Sequence, residues 1–499
     1  MNKNKIASIV NSKYYPLLLF FVSFVFVTLF SRSTSFLYVY EGFDAAIFKQ
    51  MGLAILRGKT IYLDYFDNKG CILYFIQALG LYIGGNFFIL IMQVISLTTT
   101  LVIWDKTIAF YRDSRSRLIF LGIALFLLLC FYEGGDLSEE WCLPFASYPI
   151  LLYFRSLKTN KKICRIEFFS IGVCFGIIAF IRINNASAFL GFLFYMFVIL
   201  LCNKDYKKFF SNVLFFLFGT TLIAGLCILY FYLKAGSHGV EEMIYATFLS
   251  YFEYFDYQVQ HTIYFYLFYI LFLVISISIL CVNASKQKEI LLPSIISYFL
   301  FICSTGNRCF THYLIVTLPL IVICMMTIYS GKKRKINIIL SLIALIPLSS
   351  FLIRPLGFFI NDLVLNKEPF KTSYGEFHRC IDEIPKTERD SIYNYNLSGF
   401  GAGMMQHENL LQCNRILFSP FAFNLPTLHK EETSKTNNMP KWILISWNRK
   451  TIKSDKLFIY YYYDLIDSFT FDYVYLNKPK IGKKIEICLY RRKDQIPAP

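Results

Sequence analysis

The sequence predicts an all-α polytopic membrane domain followed by a small exterior domain of mixed α/β structure. Three observations carry that prediction. Of 499 residues, 56% are apolar and 17% charged, with a mean hydropathy of +0.49. A soluble chain is roughly 45–50% apolar and about 25% charged, so the excess is more than one core can hide. Residues 1–354 are divided into long apolar runs, whereas residues 355–499 hold none long enough to span a bilayer. Finally, 30 of the 50 Lys/Arg residues but only 17 of the 33 acids lie in residues 1–354, between those runs. A soluble enzyme, a secreted disulfide scaffold and a disordered tail are excluded, and the placement of the basic residues argues against nucleic acid as a partner.

A span needs about 20 apolar residues to cross a hydrocarbon core of roughly 30 Å. Eleven runs qualify, near residues 14–31, 86–104, 118–133, 141–156, 165–181, 186–202, 209–232, 262–281, 290–305, 313–330 and 336–353. Basic clusters follow every second span: Lys3/Lys5/Lys13, Lys106/Arg112/Arg115/Arg117, Lys158/Lys161/Lys162/Arg165, Lys204/Lys207/Lys208, Lys286/Lys288 and Lys332/Lys333/Arg334/Lys335. With Arg155 that face carries 21 Lys/Arg and 5 acids, against 9 and 12 on the other. The positive-inside rule therefore predicts a cytoplasmic N-terminus and an exterior C-terminal region. The basic start and first apolar run resemble a signal peptide, but the run is long and no A-x-A site follows, which predicts an uncleaved span.

Residues 71–84 are apolar but would make a helix of only about 21 Å. A crossing there would put every later basic cluster on the wrong side. The stretch is read as an interfacial helix on the exterior surface, ended by Gly84-Gly85. Most of the 14 cysteines lie inside spans, where they act as small hydrophobes. Cys380 and Cys413 fall in the exterior region, where pairing is open, and no Cys/His spacing suggests structural zinc.

Polar residues gather in the exterior loops. In the first, residues 44–57 show helical apolar spacing, with Asp44 at the N-cap position and Gly58 just past the end. Asp44 is then either a plain helix cap or a working carboxylate, and Asp64, Asp67 and Lys69 follow in the same loop. The run DYFDNKG lacks the alternating acids of an EF-hand. The second loop, GGDLSEEW, brings Glu133, Asp136, Glu139 and Glu140 beside the fourth span. Exterior cations are few; Arg182 closes the fifth span in FIRINNAS, and Arg308 precedes the tenth in GNRCFTHY with His312 and Tyr313. Each arginine either snorkels from a helix end or cradles a lipid-borne phosphate, to which it offers a bidentate fork.

The first loop, DAAIF…GLAILRGKTIYLDYFDNKGCILY, resembles the signature of bacterial glycosyltransferases of the GT-C superfamily. It is similar to the branch of protein O-mannosyltransferases and lipid A aminoarabinose transferases. Glu139-Glu140-Trp141, FIRINN and GNRCFTHYL resemble later elements of that pattern in the same order, and Cys71 stands where relatives often carry Pro. The resemblance implies a GT-C-like fold of about 11 transmembrane helices plus interfacial helices. It implies transfer of a sugar from a polyprenyl-phosphate carrier to a hydroxyl of a glycan, lipid or protein acceptor on the exterior face, with inversion. Asp44 would be the general base. Glu139, Glu140, Asp64 and Asp67 would form a second acidic site, and Lys69, Arg182, Arg308, His312 and Tyr313 would hold the donor phosphate. A cofactor is either not required or is a divalent cation, for instance between Asp44 and Glu140. The implied location is a bacterial inner membrane with a periplasmic C-terminal domain.

Residues 355–499 contain strand-like runs at 390–397, 441–447, 469–476 and 484–490. GFGAGMM at 399–405 lacks the spacing and lysine of a phosphate loop and reads as a turn. The aromatic run KLFIYYYYDLI reads as core. Two other functions stay open. A transporter or flippase of lipid-linked cargo expects midplane charges and paired broken helices. An O-antigen polymerase or ligase also uses exterior arginines but does not predict the acidic first loop.

Overall fold

The computed structural model describes residues 3–38, 42–250, 263–284, 287–305, 310–328, 356, 359–360, 369–395, 398–413, 415, 440–446, 459–474 and 482–493. The helices are α1 (Lys3–Val10), α2 (Tyr15–Phe30), α3 (Phe43–Leu56), α4 (Cys71–Ala109), α5 (Ser114–Phe131), α6 (Ser138–Thr159), α7 (Arg165–Arg182), α8 (Ser187–Cys202), α9 (Tyr206–Ile244), α10 (Ile263–Ala284), α11 (Lys288–Thr305) and α12 (Leu318–Ile328). Among them lie five stretches long and apolar enough to cross a membrane: Cys71–Ala109, Ser114–Phe131, Arg165–Cys202, Tyr206–Leu249 and Lys288–Thr305. The chain is a multi-pass membrane protein. The expected span at 336–353 lies outside the described residues.

Two long helices are broken by glycine. In α4 the break falls at Gly84 and Gly85, and Gly85 has a φ of 63°, a left-handed conformation that glycine adopts without strain. The half before it leaves Leu79, Tyr82 and Ile83 exposed, an apolar face suited to the bilayer surface. In α9 the break is at Ala235 and Gly236, just beyond the predicted span, and the patterning gave no warning of it.

Close helix packing rests on small residues. A Cβ on Gly172 of α7 would overlap the carbonyl of Phe216 in α9, and one on Gly219 of α9 would overlap that of Phe169. Thr220 donates its hydroxyl to the Gly172 carbonyl at 3.2 Å. Within a membrane, where lipid is as apolar as leucine, such backbone contact and hydrogen bonding largely drive helix association.

The C-terminal region holds α13 (Pro369–Asp382), α14 (Ser398–His407) and four strands: β1 (Ile392–Tyr395), β2 (Trp442–Ser446), β3 (Tyr463–Val474) and β4 (Gly482–Arg492). The sheet order is β1-β2-β4-β3, with β1 and β2 parallel and the other pairs antiparallel. Period-two alternation buries both faces: Trp442, Leu444 and Leu489 pack with Phe377 and Met404, while Ile443, Ile445 and Tyr490 pack with Ile459 and Tyr463. The aromatic run is therefore core at Ile459 and Tyr463, but Tyr460 and Tyr461 are exposed. The reading of GFGAGMM as a turn is corrected, because these residues form α14. Gly401 lets that helix close on Asn394 of β1, where a Cβ would overlap the amide, and the helix seats Met404 and Met405 in the core. Cys380 is buried, Cys413 is exposed, and the two are not bonded.

Candidate functional site

The N-cap reading of Asp44 is also corrected. Gly42 occupies the cap position, α3 begins at Phe43, and Asp44 sits in the first turn with no capping hydrogen bond. A carboxylate there is favoured by the helix dipole. Among the described residues it has neither a hydrogen bond nor an ion pair, and it keeps part of its surface open. Burial pushes its carboxyl above the usual range; Lys69 and His312 act against that rise, and Asp67 and Glu139 add to it. Groups from three separate parts of the chain thus act electrostatically on Asp44.

Two tyrosines lock the stretch DNKG beside α3. Tyr74 donates to the Asp67 carboxylate at 2.7 Å and accepts from the Lys69 N–H at 3.2 Å, while Tyr62 donates to the Lys69 carbonyl at 2.7 Å. All three side chains Tyr62, Asp67 and Tyr74 are buried. Gly70 then donates its N–H to the Ile181 carbonyl at 2.9 Å, and any Cβ at Gly70 would overlap the carbonyl of Phe180. That close approach sets Lys69 beside the end of α7, where Arg182 lies. The Lys69 ammonium donates to the side-chain oxygen of Asn68 at 2.9 Å.

Arg182 ends α7 in extended backbone before a 3-10 turn at Ile183–Ala186. Its guanidinium pairs with Glu139 and lies 4.3 Å from the centre of the Tyr313 ring, a cation–π contact. The arginine and Glu139 side chains are 9% and 2% exposed, so this is a buried pair. Burial works against charge on Glu139, but Arg182 and His312, with hydrogen bonds, hold its carboxyl below the usual range. His312 packs between Phe310 and Tyr313 and meets the Glu133 carboxylate through Nδ1 at 2.8 Å.

The neighbouring acids divide sharply. Glu140 accepts from the Tyr132 hydroxyl at 2.8 Å, the Gln93 amide at 3.2 and 3.3 Å and the Asp136 N–H at 3.0 Å. Its two oxygens are consumed in a buried network, and burial raises its pKa to about 7. Of the two adjacent glutamates it is Glu139, not Glu140, whose charge acts on Asp44. Among the described residues, no three His, Cys, Asp or Glu side chains are grouped to hold a metal. Asp64 is exposed, and its carboxylate accepts from the Thr60 N–H at 2.7 Å, so it caps a turn. Arg308 lies outside the described residues.

The structure thus brings together Asp44, Asp67, Lys69, Glu139, Arg182, His312 and Tyr313, and keeps Asp64 and Glu140 apart in local roles. Sequence reasoning missed two things. Glu133 was visible as one of four acids in the second loop, but its pairing was not. Lys49, on α3, is fully buried and donates to the Ser33 carbonyl, while Ser33 donates its hydroxyl to the Gly134 carbonyl at 3.0 Å. Those contacts tie the Asp44 helix to the loop that carries Glu133, and no spacing in the sequence announces them.

No family model matches this chain, and no curated protein matches it in sequence. Solved structures do match in fold. One is the crystal structure of ArnT from Cupriavidus metallidurans bound to undecaprenyl phosphate, with 10% identity, 96% of this chain and 98% of that chain covered, and a TM-score of 0.59. Another is ArnT from the same organism in the apo state, with 11% identity, coverage of 95% and 97%, and a TM-score of 0.58. At that identity the likeness establishes the fold alone: the chain shares the fold of ArnT over nearly its whole length, which agrees with the fold that the first-loop resemblance implied.

Proposed function

We propose that this protein is a membrane glycosyltransferase that moves a sugar from a polyprenyl-phosphate-linked donor to an acceptor hydroxyl on the exterior face. The observation that carries the reading is Asp44: a partly open carboxylate with no direct ion pair among the described residues, acted on by Lys69 and His312 and close to the Arg182–Glu139 pair that also acts on it. The fold shared with ArnT supports it, since that protein has been seen with undecaprenyl phosphate bound.

The acceptor oxygen attacks the anomeric carbon as the bond from that carbon to the phosphate oxygen breaks, which inverts the centre. Asp44 takes the hydroxyl proton, and the lipid phosphate leaves carrying the bonding pair. Charge grows on the leaving oxygen, where Lys69, Arg182 and His312, with Tyr313 beside them and Arg308 from the adjoining segment, would stabilise it. Asp67 and Glu139 position Lys69 and Arg182. Burial of Asp44 makes it a stronger base than a solvated aspartate, at the cost of needing a higher pH to ionise. The positive-inside rule supports a cytoplasmic N-terminus with this site on the exterior face, and the resemblance implies that this face is the periplasmic side of a bacterial inner membrane.

The transporter reading loses ground because both glycine breaks fall outside the predicted spans, at residues 84–85 and 235–236, instead of at mid-membrane. The deciding experiment is glycan mass profiling of membranes that contain the wild type, Asp44→Asn or no protein, at matched abundance. A sugar-sized increment that only the wild type produces supports the proposal. Wild-type behaviour of Asp44→Asn removes the base assignment.

A further inference from the structure

The polar contact that the proposed chemistry leaves unused is the one between Glu133 and His312. The histidine is 6% exposed and lies in the 3-10 turn Thr311–Thr317, just before an apolar helix. Its Nδ1 is occupied by Glu133 at 2.8 Å, and its Nε2 makes no hydrogen bond among the described residues. The ring is fixed in plane, stacked on Phe310 at 5.5 Å and set edge-on to Tyr313 at 4.8 Å. Glu133 itself precedes a tight turn in which Gly134, Gly135 and Asp136 all take positive φ. Ser33 holds that turn by donating its N–H and hydroxyl to the Gly134 carbonyl at 3.1 and 3.0 Å. The carboxylate is therefore aimed by rigid backbone.

We propose that Glu133 is a positioning residue that keeps His312 protonated and oriented, so that Nε2–H presents a positive donor to the phosphate of the lipid carrier. This rests on the polyprenyl-phosphate reading above and deepens it by making carrier binding depend on pH through one protein side chain. A neutral imidazole with Nδ1–H toward Glu133 would offer Nε2 as an acceptor, which repels a phosphate oxygen. Among the described residues the charged groups facing the ring are Glu133 from the second loop, Glu139 from α6 and Asp44 from α3, with Arg182 of α7 against the neighbouring Tyr313 ring. Burial opposes the imidazolium and the three carboxylates favour it, with Glu133 the nearest. Loss of one adjacent carboxylate moves such a titration down by about one unit, or tenfold in charged population at a pH above it.

The test titrates undecaprenyl phosphate into the full-length protein in detergent, read by native mass spectrometry from about pH 5.5 to pH 8.5. The lipid phosphate titrates alike against every variant, so differences between curves belong to the protein. Wild type is expected to hold the lipid through neutrality and weaken above it. Glu133→Gln should match wild type at the acid end and bind about tenfold more weakly near pH 7.5, and Glu133→Asp should recover most of the difference. His312→Gln should be weak throughout, with a flattened curve. A Glu133→Gln curve that superimposes on wild type, or is weaker by one factor at every pH, overturns the proposal while leaving the glycosyltransferase reading intact. Should that variant misfold by thermal denaturation, a His312→Gln curve with wild-type pH dependence overturns it equally. Absence of lipid binding by wild type at any pH overturns both readings.

Discussion

The two faces of the membrane domain solve the same electrostatic problem differently. On the basic face, Asp105 of α4 is paired with Arg117 of α5 and accepts from the Tyr15 hydroxyl of α2 at 3.4 Å, while Arg155 of α6 meets Glu167 of α7 at 2.7 Å. Both of these acids find a cation on a neighbouring helix, and each pair fastens two helices. On the exterior face Arg182 and Glu139 are joined in the same way, yet Asp44 keeps no counterion among the described residues and the Lys69 ammonium reaches an amide oxygen instead of an acid. A charge that only holds helices together is neutralised within the chain. Charges left short of neutralisation in a buried cluster raise the free energy of the fold, and such groups concentrate where a ligand completes them.

The largest effect that would sharpen this contrast is Asp44→Asn, expected to lower sugar transfer about 10³-fold, within the range for loss of a general base. It should shift the thermal midpoint by no more than about 2 °C, since no hydrogen bond or ion pair among the described residues is lost. A large loss of stability with modest loss of transfer would break the comparison. Next comes Arg182→Ala, which leaves Glu139 as an uncompensated buried charge. It should cost about 3–5 kcal/mol of stability, measured by denaturation in detergent, and abolish transfer together.

Asp105→Ala is the mirror experiment on the basic face. It too strands a buried cation, at a predicted cost of about 3 kcal/mol, but the protein that remains folded should transfer sugar at an unchanged rate. A matching fall in specific activity would show that the two faces are coupled. The smallest effect separates the adjacent acids: Glu139→Gln should reduce transfer about tenfold or more, and Glu140→Gln by less than about threefold. Glu140 also carries a pH signature. Its folded pKa, raised to about 7, lies above that of the unfolded chain, so the folded state binds the extra proton. Stability should therefore fall as pH rises from the unfolded carboxylate value through about 7, and then level off. Glu140→Gln should flatten that slope in thermal midpoints measured across the range.

Much of this was legible from the chain. The apolar helix at Tyr15–Phe30, the helix–glycine boundary at Gly84-Gly85, the end of α3 just before Gly58 and the four strands all follow from periodicity and turn chemistry, which are local properties. So was the candidate cluster as a set of residue types, through the first-loop motif. What misled was also local. GFGAGMM has the composition of a turn, but its glycines serve the approach of α14 to Asn394. Asp44 has the residue type of a cap, but Gly42 fills that place. Glu139 and Glu140 are indistinguishable as neighbours in a loop, because successive residues of a helix point about 100° apart and meet different partners.

The sequence by itself determined that this chain crosses a membrane many times, which face is basic, and which loops concentrate charge. Those outcomes follow from summed transfer free energies and from composition, which need no three-dimensional information. Only the tertiary structure decided which charges are neutralised. The Gly70 backbone contact to the end of α7, the Arg182–Glu139 pair and the reach from Glu133 to His312 join residues 43 to 179 positions apart or bind backbone to backbone. Coulomb energy depends on distance and burial, and neither is written in the order of the residues.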